Sequence, residues 1–128
     1  MLAAAAILRM DALSKPYFKN SNLQFSISHS ENIVLVAFDN NPVGADIEIM
    51  KDRNFKDIFA RYNIKENATK ELFYTFWTEF EAKLKLQETP KTKIHFPFQD
   101  KFMVSVAGDF NENNYGIYEL TSDGFVQI

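Results

Sequence analysis

The chain has 128 residues, a net charge of −3 and no cysteine. That is the length of one domain, 1–128, and it excludes a disulfide framework, a thiolate nucleophile and a cysteine-ligated zinc site. Hydrophobic residues make up 46 % and aromatic residues 15 %, which excludes a disordered chain, and the acidic balance argues against nucleic acid as a partner.

Met1 to Leu8 is apolar, but Arg9 and Asp11 end the run. It is too short to span a membrane and lacks a signal-peptide pattern, so no membrane partner is expected and a cytoplasmic location fits the cysteine-free composition. Residues 2–12 read as a short Ala-rich helix, broken at Ser14-Lys15-Pro16. From Leu23 to Ser28 apolar and polar residues alternate, with Leu23, Phe25 and Ile27 on one side and Gln24, Ser26 and Ser28 on the other. That is a strand pattern. Ile33 to Phe38 is a nearly continuous β-branched and apolar run, hence a buried strand. Asp39-Asn40-Asn41-Pro42 is a turn before a third strand, Val43 to Ile49. The three strands read as a meander.

Two helices follow. Phe55, Ile58, Phe59 and Tyr62 share one face of a short helix. A longer helix runs from about Ala68 to Leu86, where Phe73, Phe76, Trp77, Phe80 and Leu84 recur at three- and four-residue spacing and predict an apolar stripe packed on the sheet. Pro90 and Pro97 predict an irregular stretch. Strands are expected at Lys101 to Ala107, Tyr115 to Leu120 and Phe125 to Ile128. The fold class is therefore α+β, an antiparallel sheet packed against a long helix. Between Lys51 and Lys70, six basic residues face three acidic ones, so this stretch is +3 and the remainder −6. It is either a solvated helix face or a surface for an acidic partner.

Three groups of residues have chemistry beyond packing. Asp46 and Glu48 are two apart on a strand, so both carboxylates share one face while Ala45, Ile47 and Ile49 share the other. The pair suits a hard divalent ion such as Mg²⁺, which takes one or two protein carboxylates plus phosphates and water; the alternative is a strand with one solvated polar face. Glu81 stands beside the aromatic stripe, four residues after Trp77, with Lys85 one turn later. Either they form an exposed ion pair or, if this helix crosses the Asp46/Glu48 strand, three carboxylates and a lysine converge. His29, between Ser28 and Ser30 at a strand end, offers phosphate-binding groups or a capped turn. Ser28-His29 is no hydrolase pair, because neighbouring strand residues point to opposite faces and no Gly-x-Ser-x-Gly elbow is present.

Taken in order, Lys15-Pro16-Tyr17, Phe25-Ser26-Ile27-Ser28-His29-Ser30, Phe38-Asp39, Val43-Gly44-Ala45-Asp46-Ile47-Glu48 and Trp77-Thr78, Glu81-Ala82, Lys85 resemble the 4′-phosphopantetheinyl transferases of the surfactin-synthetase-activating type. The resemblance is strongest over residues 15–86. It implies one such unit, transferring the 4′-phosphopantetheine arm of coenzyme A to a serine of an apo acyl or peptidyl carrier protein, in fatty acid, polyketide or nonribosomal peptide biosynthesis. By the same resemblance Asp46, Glu48 and Glu81 hold Mg²⁺. Lys15, Ser28, His29 and Lys85 contact the coenzyme's phosphates, and Glu81, with Lys85, serves catalysis as base and phosphate partner.

Three departures stand out. Phe80 replaces a lysine common before the Glu, residues 87–93 lack the glycines that usually follow the helix, and the chain resembles the second of two similar halves. A lone unit is expected to complete its coenzyme cleft as a homodimer or homotrimer. A non-catalytic homologue that binds coenzyme A or a carrier is the alternative.

Overall fold

A computed structural model describes residues 3–4, 22–122 and 124–128. Lys15 and most of the expected N-terminal helix lie outside the described residues. Ala3–Ala4 belongs to that expectation and is instead a two-residue strand, β1. It pairs antiparallel with Phe38 and Ala37 and parallel with Gly116 and Ile117, so tertiary pairing overrides the helix preference of alanine.

The remaining strands are β2 (Gln24–Ser30), β3 (Ile33–Asp39), β4 (Val43–Ile49), β5 (Thr92–Phe98), β6 (Phe102–Gly108), β7 (Gly116–Thr121) and β8 (Gly124–Gln127). The helices are α1 (Phe55–Arg61) and α2 (Lys70–Leu86). One sheet has the order β2-β3-β1-β7-β8 and a second the order β4-β6-β5. The class is α+β as expected, but the first three long strands are not a meander. β2 and β3 form a hairpin in register Phe25↔Phe38 to Ser30↔Ile33. β4 leaves that sheet and pairs with β6, Asp46 opposite Ser105. Adjacency in sequence favours pairing without dictating it.

β5 occupies what reads from sequence as an irregular stretch. Pro97 fits there because β5 is an edge strand, where a residue without an N–H costs no ladder bond. Ile94, Phe96 and Phe98 alternate with Lys93, His95 and Pro97 and pack on the core. That core joins Leu35 and Ala37 of β3, Val43, Ala45 and Ile47 of β4, and Phe102, Val104 and Val106 of β6. Ala45 and Ile47 thus point inward, as the alternation requires, and Asp46 and Glu48 take the opposite face.

α2 lies on that opposite face. Thr69 caps it, its hydroxyl accepting from Leu72 N at 3.2 Å, and Gln87 ends it in the left-handed region at φ 63°. The buried residues are Tyr74, Thr78, Ala82 and Leu86, one every four positions. The aromatic stripe expected to pack on the sheet instead lies off it: Phe73 and Phe76 pack on Phe55 and Phe59 of α1, and Trp77 reaches Glu48 only with its indole N–H. Phe76, Trp77, Phe80 and Leu84 are 36, 42, 53 and 56 % exposed. On α1 only Phe59 is fully buried, and Tyr62 is exposed. Among the described residues no helix is long and apolar enough to cross a membrane.

Candidate active site

The site forms because α2 and β4 approach unusually closely. Gly44, Asp46 and Glu48 share one face of β4. A Cβ at Gly44 would stand 2.0 Å from the Ala82 carbonyl oxygen and 2.7 Å from Leu86 N, both backbone atoms. Only glycine permits this crossing, and Ala82 opposite is fully buried. One helical turn back, Thr78 Oγ1 and Ser105 Oγ are 2.7 Å apart and wholly buried. On a helix held this close, Glu81 and Lys85 lie on the flank that overhangs the β4 carboxylates.

Asp46 is the centre of the arrangement and is only 4 % exposed. Its Oδ1 accepts from Ser28 Oγ at 2.9 Å and from Lys85 Nζ at 3.4 Å. Its Oδ2 is buried and has no hydrogen-bond partner among the described residues. Burial pushes the Asp46 carboxyl above its ordinary range. The Lys85 ammonium and the Ser28 hydroxyl pull it down, and the Glu81 charge adds to the rise. Glu48 is also pushed up, first by burial and then by the charge of Asp46, with Glu81 acting in the same direction and the Trp77 indole hydrogen bond and Lys85 against it. Asp46, Glu48, Glu81 and Lys85 therefore act on one another electrostatically, as the sequence reading requires of a helix crossing this strand.

Lys85 does more than flank the carboxylates. Its Nζ also donates to Ala45 O at 3.0 Å and to Ile27 O at 3.2 Å, joining α2 to both β4 and β2. β4 has backbone pairing to β6 on one side; its other edge lies against β2 and is held by side chains. Ser26 Oγ accepts from Ala45 N at 3.0 Å, Ser28 Oγ from Ile47 N at 3.1 Å and Ser30 Oγ from Ile49 N at 2.8 Å. Each hydroxyl satisfies an N–H that would otherwise be buried unpaired. This row of serines escapes a reading based on strand alternation, which treats them as a polar face. The signal was their strict every-second spacing beside an edge strand.

Among the described residues no three His, Cys, Asp or Glu side chains stand ready to hold a metal ion unaided. A cation that completes its shell with water and phosphate needs less. The buried, unpartnered Asp46 Oδ2, with Glu48 on the same strand face and Glu81 above, fits that requirement. Repelling carboxylates in a part-buried setting are the environment a divalent cation relieves.

The other expected contacts are dispersed. His29, the neighbour of Ser28, points to the opposite face of β2 and is exposed. Lys15 lies outside the described residues. On the far flank of α2, Glu79 lies 3.6 Å from His95 Nδ1 and 3.7 Å from Lys93 Nζ, a surface cluster that the sequence reading did not single out. An apolar cavity of about 270 Å³ lined by Ile33, Leu35, Ile47, Phe96, Phe98 and Val104 opens on the core side of β4, the face away from Asp46 and Glu48.

No family model matches the chain. Two curated proteins do. A Haemophilus influenzae protein named "Putative 4'-phosphopantetheinyl transferase" is 35 % identical over 68 % of this chain and 44 % of its own length. The 4′-phosphopantetheinyl transferase ffp of Bacillus subtilis is 32 % identical over 50 % of this chain and 33 % of its own length. The chain belongs to the 4′-phosphopantetheinyl transferase superfamily. The matches span less than half the length of either relative.

Proposed function

We propose that this unit transfers the 4′-phosphopantetheine arm of coenzyme A to a serine of an apo acyl or peptidyl carrier protein, with Mg²⁺ at the α2–β4 crossing. The observation that supports it best is Asp46, buried, with one oxygen held by Ser28 and Lys85 and the other without a hydrogen-bond partner among the described residues, near the charges of Glu48 and Glu81. Asp46, Glu48 and Glu81 would hold the cation. When bound, it supplies positive charge to the coenzyme's diphosphate.

The Glu81 carboxylate accepts the proton of the carrier serine hydroxyl. The serine oxygen attacks the phosphorus that bears the pantetheine arm. The bond to the second phosphate breaks, and adenosine 3′,5′-bisphosphate leaves. His29, and Lys15 from the resemblance, are the proposed contacts to the 3′-phosphate. The basic stretch from Lys51 to Lys70 begins two residues past β4 and is anchored there, since Tyr74 OH accepts from Lys51 N at 3.0 Å. It is the proposed docking surface for an acidic carrier. A coenzyme needs more than one wall, and the exposed Phe76, Trp77, Phe80 and Leu84 beside the site support a homodimer or homotrimer that supplies the second.

The test is to incubate the chain with coenzyme A, Mg²⁺ and a panel of apo carrier proteins and to look for the added arm by mass. Transfer that disappears in Asp46→Ala supports the reading, and no transfer to any carrier contradicts it. Phe80, 53 % exposed beside Glu81 where the resemblance leads one to expect lysine, favours a second reading: a unit that binds coenzyme A or a carrier without transfer. Coenzyme A binding with no transfer would select it.

A further inference from the structure

Ser26, Ser28 and Ser30 each accept an N–H from β4, but among these three Ser28 also has an acceptor for its own proton. That acceptor is Asp46 Oδ1, at 2.9 Å. A hydroxyl has one proton to give. With that proton on Asp46 and the side chain buried, Ser28 has none left for an anionic phosphate. The same count holds for Lys85. An ammonium has three N–H donors, and among the described residues alone Nζ already meets three acceptors: Ala45 O, Ile27 O and Asp46 Oδ1.

We infer that Ser28 and Lys85 are positioning residues for Asp46 rather than contacts to the coenzyme's phosphates. Together they fix Oδ1 and the plane of the carboxylate, so that Oδ2 faces the cation site. Partners of this kind behind a metal ligand commonly change metal affinity by about 10- to 100-fold. The inference rests on the proposed role of Asp46 as a cation ligand. It differs from the resemblance in what Ser28 and Lys85 touch.

The three serines supply their own control. Each single Ala variant of the full chain removes one bond to β4, whereas only Ser28→Ala removes a bond to the carboxylate. Mg²⁺ affinity is read in the presence of coenzyme A from the emission of Trp77, the single tryptophan. Coenzyme A affinity without metal and the melting temperature are measured in parallel. Ser28→Ala is expected to weaken Mg²⁺ binding by about 10- to 100-fold while metal-free coenzyme A binding holds. Ser26→Ala and Ser30→Ala are expected to lower the melting temperature and leave Mg²⁺ affinity unchanged. Ser28→Thr, which keeps the hydroxyl, is expected to restore binding. Should Ser28→Ala fail to fold, Ser28→Cys, with its weak donor, takes its place. Lys85→Met is expected to follow Ser28→Ala.

Equal Mg²⁺ affinity in Ser26→Ala, Ser28→Ala and Ser30→Ala would overturn the inference. So would a loss of metal-free coenzyme A binding in Ser28→Ala, which is the mark of a phosphate contact. A wild-type chain that binds coenzyme A but no Mg²⁺ would instead overturn the cation reading itself, and the positioning role with it.

Discussion

The two faces of α2 have opposite chemistry, and the less apolar one is inside. Toward the sheet it presents Tyr74, Thr78, Ala82 and Leu86, two of them hydroxyl-bearing and one a methyl. Away from the sheet it presents Phe76, Trp77, Phe80 and Leu84, between a third and more than half exposed. The inner face is chosen for closeness. Tyr74 reaches past the sheet to the backbone of Lys51, Thr78 meets Ser105, and Ala82 rests on Gly44. Bulkier side chains there would lift the helix and carry Glu81 and Lys85 away from Asp46 and Glu48. The outer face is only partly used within this unit: Phe76 packs on Phe59 of α1 at 6.2 Å, the Trp77 indole donates to Glu48, and the rings pack on each other, Phe73 against Trp77 at 6.5 Å and Trp77 against Phe80 at 6.2 Å. Closeness at Thr78 and Ala82 builds the site, while Phe80 and Leu84 stay more than half exposed.

That contrast breaks most sharply at Gly44. Gly44→Val puts carbon where backbone atoms of α2 already lie. It is expected to cost about 3 kcal/mol or more and to abolish the site, checked by circular dichroism and denaturant unfolding. Thr78→Val keeps the volume but leaves the Ser105 hydroxyl without its helix partner. A loss of about 1–3 kcal/mol is expected, read from the urea midpoint.

The carboxylates themselves sharpen the comparison through pH. Glu48 has a folded-state pKa raised above its ordinary 4.5. Its favourable contribution is therefore complete below that value and is lost as pH rises through the raised one. Without divalent cations, Glu48→Gln should raise the melting temperature by about 3 °C at neutral pH, and the gain should vanish near pH 4. With Mg²⁺ and coenzyme A the order should reverse, because the wild type gains a ligand that the variant lacks. Equal melting temperatures at pH 7 would contradict the cost of burying the Glu48 charge beside Asp46.

The smallest effect belongs to the outer face. Phe80→Ser and Leu84→Ser are expected to change the stability of the isolated unit by no more than about 0.5 kcal/mol. Their consequence should appear in light scattering, as a loss of the proposed oligomer at micromolar concentration. A large drop in stability at unchanged mass would mean that this face packs within the unit.

Much of the site was legible in the sequence because strand periodicity is rigid. Two carboxylates two residues apart on Val43 to Ile49 must share a face, and the structure puts them there, under the long helix. Helix periodicity misled, because the aromatic residues define a stripe on α2 that is real but points outward. Which stripe faces the sheet depends on the partner surface, and Gly44 was the clue to it. β5 was hidden by Pro97, which an edge strand tolerates. The switch of β4 to a second sheet was hidden for a different reason. Its edge is satisfied by Ser26, Ser28 and Ser30, and hydroxyls that replace a backbone ladder look like a solvated face until the two strands are seen together.

The proposed cation site at the α2–β4 crossing is tested most directly by anomalous diffraction from crystals soaked with Mn²⁺ and coenzyme A, Mn²⁺ standing in for Mg²⁺ at an oxygen-rich site. The expected result is an anomalous peak in contact with Asp46 Oδ2, with Glu48 and Glu81 around it and the coenzyme's diphosphate completing the shell. A coenzyme bound with its diphosphate elsewhere, and no peak at Asp46, would contradict it.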